Sequence, residues 1–150
     1  MAVGRVVAVT EVHETFALVA VGLNVVAASW GAICWSRGIV STAFWYVLRV
    51  AQLSVVVQVI FGLVLLAEGR RPADDLHYLY AVVPLIVAVV TEYMRVGASH
   101  AELELVDDPD ALPRRDRILL ARRIVLREIG IMTVGLLLVV TLLLRAARIL

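Results

Sequence analysis

Four long apolar runs, separated by polar connections, constrain this chain more than any other feature. They cover residues 7–35, 43–67, 76–96 and 126–144. Each is close to or above the roughly 20 apolar residues that a helix needs to cross a hydrocarbon core about 30 Å thick. A soluble domain could not bury all of them, because a chain of about 150 residues leaves roughly 30% of its surface exposed. The sequence therefore predicts a multi-pass protein of the cell membrane.

Composition supports this prediction and excludes several other classes of protein. Of the 150 residues, 62% are hydrophobic and 18% are charged, whereas soluble domains have about 45–50% and about 25%. The single cysteine, Cys34, excludes an internal disulfide and a cysteine-based metal site within one chain. The sequence contains no G-x-G-x-x-G, phosphate loop or H-E-x-x-H motif, and we expect no nucleic-acid partner.

The lengths of the connections predict how the helices pack. The first two are short, so consecutive helices should be antiparallel neighbours. We expect an all-α membrane protein with one domain, residues 1–150, folded as an antiparallel four-helix transmembrane bundle. The third connection, residues 97–125, is longer and polar. We interpret it as a cytoplasmic loop with a short surface helix and basic anchors to anionic headgroups, and a docking site for a partner is the alternative.

The first two connections contain residues suited to ending and starting helices. Ser41 or Thr42 can cap the second helix, and Asp74 or Asp75 can cap the third. Gly69 suits the left-handed conformation that ends many helices. These positions support the boundaries drawn from the apolar runs.

Arginine placement predicts the orientation in the membrane. Nine arginines fall on one face and five on the other, and the face richer in arginine is normally cytoplasmic. The richer face holds Arg37, Arg49, Arg95, Arg114, Arg115, Arg117, Arg122, Arg123 and Arg127. Both termini should then lie outside.

Two of the three histidines should lie at the same depth. His13 is near the start of the first span and His77 near the start of the third, and these two helices run parallel and can sit diagonally in a four-helix bundle. Ionisable residues inside spans are functional candidates, and a bis-histidine haem takes one axial nitrogen from each side. His100 lies at the other face and should be an ordinary surface residue.

Other interpretations of the histidine pair stay open. Both rings can be interfacial residues without a cofactor, and Glu11 and Glu14 could complete a zinc site, which needs about four ligands. A stripe of small residues beside His13 and a face with Ser54, Gln58 and Gly62 would let a macrocycle approach closely. Small-residue stripes are equally typical of plain helix packing.

An ion pair is predicted at the opposite end of the bundle. Arg49 lies about 9 Å into the second span, and Glu92 lies about 6 Å from the end of the third, at 1.5 Å per residue. Antiparallel neighbours would place them at nearly the same level, so we expect a structural pair between the second and third helices. The alternative is that Arg49 extends to the headgroups on its long side chain.

Several motifs resemble haem A synthase and related haem-b membrane cytochromes. The family pattern Q-V-x-x-G…G…P…L-H-x-x-x-G is similar to Gln58-Val59-Ile60-Phe61-Gly62, Gly69, Pro72 and Leu76-His77-Tyr78-Leu79-Tyr80. Residues 11–14 resemble the acidic entry to the family's first histidine helix. This chain has one such unit, where the synthase has two, and Ala81 where the family has glycine.

The resemblance implies a bundle that holds haem b between two histidines near the outer side. It implies that His13 and His77 are the axial ligands and that Gln58 and Tyr78 surround the cofactor. It does not extend to the synthase reaction, because only one unit is present.

Three functions follow from these observations. The first is a small haem-b protein that transfers electrons through a bis-histidine haem near the outer face, with a quinone or a larger membrane complex as partner. The second is a cofactor-free structural or assembly subunit of such a complex. The third, a transporter or channel that works as a homo-oligomer, is the weakest, because only Pro84 interrupts a span. Whether the protein is an enzyme stays open.

Overall fold

The described part of the chain folds into four helices. The computed structural model describes residues 2–71 and 76–147, and the side chains of 11–71 and 76–147. The helices are α1 (Ala2–Ser36), α2 (Thr42–Ala67), α3 (Leu76–Leu103) and α4 (Arg114–Ala146). Each is long and apolar enough to cross a membrane. The predicted all-α, four-helix membrane fold is confirmed.

Each helix packs on two neighbours, and α4 packs on α1 and α3. Helix α1 contacts both α2 and α4, α3 packs mainly on α4, and α2 touches α3 only slightly. In the most apolar stretch of α4, 44% of the residues are buried, against 11% in α3. Helices α1 and α3 lie on a diagonal, and their described backbones do not come into contact. Helix α3 is therefore peripheral, and the His77 that it carries can meet α1 only through side chains.

Local signals end the helices as the sequence indicated. Ser41 caps α2 by accepting a hydrogen bond from the Phe44 amide at 3.3 Å. Gly38 and Gly69 have φ values of +63° and +81°, in the left-handed region where glycine is favoured. Pro72 and the Asp74 or Asp75 expected to cap the third helix lie outside the described residues.

The third connection is shorter than the predicted loop 97–125. Helix α3 continues to Leu103 and α4 begins at Arg114, so the first and last parts of that segment are helical. Both helices are longer than a bilayer core is thick. At 1.5 Å per residue, the 28 residues of α3 span about 42 Å and the 33 residues of α4 span about 50 Å. They stay packed beyond the apolar spans because the buried Glu102 of α3 pairs with Arg127 of α4 at 2.6 Å.

The bundle has two unequal halves. We call the half that contains the connections 37–41 and 104–113 the charged half, and the half that contains His13 and His77 the histidine half. The charged half holds the larger cluster of buried residues, namely Ala27, Ala28, Cys34, Phe44, Leu48, Ala51, Ile129, Met132 and Leu136. The smaller cluster, towards the histidine half, is Val55, Val139 and Leu143.

Small residues let the helices approach closely in the charged half. A Cβ at Gly31 of α1 would overlap Thr133 Oγ1 and lie 2.7 Å from Phe44 Cε2. A Cβ at Gly135 of α4 would overlap Thr91. Close backbone approach at small residues is a main source of cohesion between membrane helices. Most of the small-residue stripe on α1 is therefore used for packing.

One buried amide joins α1 to α2 near the middle of the bundle. Asn24 is 1% exposed, and its Nδ2 donates to Ala20 O at 2.8 Å and to Ala51 O at 3.3 Å. Ser54 Oγ is 3.4 Å from the same nitrogen. A buried amide with such partners fixes the register of two helices, because its loss would leave polar groups without partners.

Candidate functional site

The two histidines predicted at matched depth lie beside each other. The ring centroids of His13 on α1 and His77 on α3 are 6.5 Å apart, and the ring planes are inclined by 59°. Both residues are partly buried. The rings meet across the diagonal of the bundle, where the two backbones do not touch.

Gln58 of α2 contacts both the backbone and the ring of His13. Its Nε2 donates to the His13 carbonyl oxygen at 3.2 Å and lies 3.3 and 3.4 Å from the two ring nitrogens. If Gln58 Nε2 lay in the plane of the His13 ring at these nearly equal distances from Nδ1 and Nε2, it would collide with Cε1. It must therefore lie over the face of the ring. An imidazole nitrogen donates or accepts in the ring plane, and no described residue other than Gln58 forms a hydrogen bond with the His13 ring.

The ring nitrogens of the pair are therefore available to a ligand. No hydrogen bond joins the His77 ring to any residue in the described part of the chain. Buried Gln58 Oε1 also has no hydrogen-bond partner among the described residues. Buried polar atoms usually have a partner, and an unsatisfied acceptor beside two imidazoles is typical of a site that binds a ligand.

The walls around the pair contain a glycine and two aromatic rings. Gly62 of α2 faces His13, and a Cβ there would lie 3.6 Å from Cε1. A side chain much larger than alanine would fill the space beside the imidazole. Phe16 and Phe61 pack edge to face with centroids 5.6 Å apart and tie α1 to α2 at this end.

The remaining residues predicted for this site do not join the pair. Tyr78 is 37% exposed, and no hydrogen bond or ring contact joins it to either histidine in the described part. Glu11 and Glu14 are exposed. Within residues 2–71 and 76–147, no group of three or more His, Cys, Asp or Glu side chains could hold a metal ion. His100 is exposed at the other end of α3.

In the charged half, the structure joins Arg49 of α2 and Glu92 of α3, the residues that sequence analysis proposed as an ion pair. Gln52 Nε2 donates to the same carboxylate at 3.1 Å, and Arg95 Nε donates to its second oxygen at 3.0 Å. The Arg49 side chain is 52% exposed. This carboxylate therefore connects α2 and α3 where these helices otherwise touch little.

The network continues from α3 to α4. Arg95 Nη1 lies 3.3 Å from Glu128 Oε1, and Ser99 Oγ donates to the same oxygen at 2.5 Å. The Arg95 guanidinium also lies 5.5 Å from the centroid of the Trp45 ring, within the range of a cation–π contact. These contacts of Arg95 and Ser99 were not predicted from the sequence.

The sequence contains a signal for the polar contacts between α3 and α4. Glu92, Arg95, Ser99 and Glu102 recur at steps of three, four and three, which places them on one face of a helix. The predicted third span ended at residue 96, so this polar stripe was divided between a helix and a loop.

Comparison of the chain with protein-family models, with curated proteins and with solved structures finds no match. Any functional conclusion therefore depends on the residues and geometry described above.

Proposed function

We propose that this protein binds a b-type haem between His13 and His77 and transfers electrons through it. The observation that carries the proposal is the 6.5 Å separation of the two ring centroids. Two imidazoles that share one metal ion hold their centroids roughly 6 Å apart, given metal–nitrogen bonds of about 2 Å. A bis-histidine haem requires only these two protein ligands.

The surroundings of the pair fit the same group. The ring nitrogens lack in-plane partners among the described residues, since Gln58 Nε2 lies over the face of His13. The diagonal placement of α1 and α3 keeps their backbones apart, as a flat macrocycle between the rings requires. Gly62 adds no side chain beside His13.

The protein's own residues would set the position and environment of the cofactor. When bound, haem supplies one-electron exchange, and the axial ligands, hydrogen bonds and burial set its potential. Gln58 anchors the His13 carbonyl oxygen to α2 at 3.2 Å and so limits rotation of the ligand helix. We propose a quinone or a larger membrane complex as the electron partner, because both can reach the site from the bilayer.

Haem content of histidine variants tests the proposal. The protein should be expressed with ample haem and purified, and haem per chain should be measured by absorbance. We expect H13A and H77A to lose haem, because each removes one axial nitrogen, and H100A to retain it. Full haem content in H13A and H77A would overturn the assignment.

A cofactor-free structural subunit is the second candidate, and the exposure of α3 favours it. Only 11% of the residues in its most apolar stretch are buried, which leaves a face that a neighbouring membrane protein could cover. The same haem measurement separates the two functions, because a structural subunit would contain none.

We also propose that the charged half faces the cytoplasm and that both termini lie outside, from the nine-to-five division of arginines. Ala111 is exposed in the connection 104–113, and the native Cys34 is buried. In intact cells, A111C should resist a membrane-impermeant thiol reagent and react after the membrane is opened. Labelling from outside would reverse the orientation.

A further inference from the structure

A hollow opens at the charged end, between the α1–α2 connection and the first turns of α4. Its volume is about 550 Å³, and it is a shallow depression that is largely open to the surface. Its walls combine five apolar side chains with two arginines, namely Ile39, Val40, Ile118, Ala121, Val125, Arg37 and Arg122.

The hollow is formed by a turn of fixed conformation. Gly38 adopts a φ of +63°, and its carbonyl oxygen accepts a hydrogen bond from Arg122 Nη2 at 3.0 Å. This bond joins the α1–α2 connection to α4. Arg122 and Arg37 both line the hollow.

The two arginines lack acidic partners. Neither Arg37 nor Arg122 forms an ion pair within the described residues, whereas the nearby Arg127 and Arg123 pair with Glu102. Two cations without counter-ions attract an anion, and the interaction energy is largest where the dielectric constant is low.

The apolar walls restrict the kind of anion. Val40 is 48% exposed and Val125 is partly exposed, and each lies within three residues of an apolar span. Val125 is about one helical turn nearer to its span than Arg122. A ligand that covers these side chains and neutralises both arginines must have a negative group joined to an apolar group.

We propose that the hollow binds one anionic phospholipid. Its phosphate pairs with Arg37 and Arg122, and the upper part of its acyl chains packs on Val40 and Val125. Basic pockets between membrane helices at headgroup level bind such lipids. Because the lipid contacts both the α1–α2 connection and α4, it stabilises the same junction as the Arg122–Gly38 bond. This proposal does not depend on haem.

Lipid binding by the full chain in detergent micelles tests the proposal. Native mass spectrometry should count bound phosphatidylglycerol during a titration, with phosphatidylcholine as the uncharged comparison and inorganic phosphate as the free anion. We expect saturation with one phosphatidylglycerol and weaker binding of the other two. R37Q/R122Q should lower the affinity for phosphatidylglycerol by roughly fivefold for each arginine lost.

A matched control removes the same charge at the other end of the bundle. R70Q/R71Q changes two exposed arginines and should leave phosphatidylglycerol binding unchanged. Because Arg122 also holds the turn, R37Q alone is measured in case the double variant does not fold. V40N tests the apolar wall, because Val40 is exposed, and it should weaken binding of the lipid while leaving binding of phosphate unchanged.

Three outcomes would overturn the proposal. Equal binding of phosphatidylcholine would show that the arginines do not select the ligand. Equal loss in R70Q/R71Q would show general attraction of an anionic lipid to a basic protein. Binding of inorganic phosphate as tight as that of the lipid would identify a free-anion site.

Discussion

A Cβ at Gly31 in the charged half would overlap Thr133, whereas a Cβ at Gly62 in the histidine half would only touch His13 at 3.6 Å. The same difference holds for polar groups. In the charged half, Glu92 has partners on two helices. In the histidine half, two imidazoles lie together without in-plane partners in the described part of the chain.

This contrast indicates a division of roles. The buried cluster with Phe44, Leu48 and Ile129 lies in the charged half, and burial of such side chains is a main source of cohesion. Close packing in the charged half can stabilise the bundle enough to tolerate polar side chains with few hydrogen-bond partners in the histidine half. Local stability is commonly lower where a ligand binds, and the histidine half fits that pattern.

The largest expected difference between the halves comes from two glycine substitutions. G31A should destabilise the protein by about 1–3 kcal/mol, because the new methyl group overpacks a tight contact. G62A should be neutral or stabilising by up to about 1 kcal/mol, because alanine favours a helix and the site has room. The free energy of unfolding in detergent micelles measures both. Equal destabilisation by G31A and G62A would contradict the claim that the charged half is more tightly packed than the histidine half.

The next effect is the coupling between Arg49 and Glu92. In a cycle of R49M, E92L and the double variant, we expect the two changes to be coupled by about 1 kcal/mol, since the exposed arginine limits the strength of the pair. The double variant should recover part of the loss seen in E92L. The same cycle with R70M and E92L is the control and should be additive, because Arg70 follows the end of α2 at the opposite end of the bundle. Additivity in the Arg49 cycle would mean that the pair does not fasten α2 to α3.

Part of this molecule could be predicted from the sequence alone. Lengths of apolar runs gave the four helices, because the thickness of a bilayer fixes how many residues must be apolar. Counting residues from the span ends also brought His13 to the level of His77, and Arg49 to the level of Glu92. Depth is readable in this way because a helix rises by a constant distance per residue.

Rotation of the helices about their axes was harder to predict. Helices α1 and α2 are apolar on nearly every face, so hydrophobic periodicity does not distinguish a lipid-facing side from a buried one. Helix α3 continues past the predicted end at residue 96 because Ser99 and Glu102 find partners on α4. Contacts of this kind depend on tertiary structure and cannot be read from hydropathy.

The smallest effect should come from removing the histidines in the absence of haem. H77A should change the free energy of unfolding of the haem-free protein by less than about 1 kcal/mol, because the ring is partly exposed and forms no hydrogen bond with described residues. H13A should cost somewhat more, because Gln58 Nε2 lies 3.3 and 3.4 Å from the two His13 ring nitrogens, and H100A provides the comparison. A loss of several kcal/mol in H77A would mean that the pair holds the bundle together and is not a ligand site kept by the rest of the fold.

The absorption spectrum of the purified, dithionite-reduced wild-type protein tests the central claim most directly. After expression with ample haem, we expect a Soret band and the narrow visible bands of a low-spin b-type haem, at one haem per chain, because two imidazoles fill both axial positions. A protein that is fully folded but has no Soret band, and that takes up none when haem is added, would contradict the account.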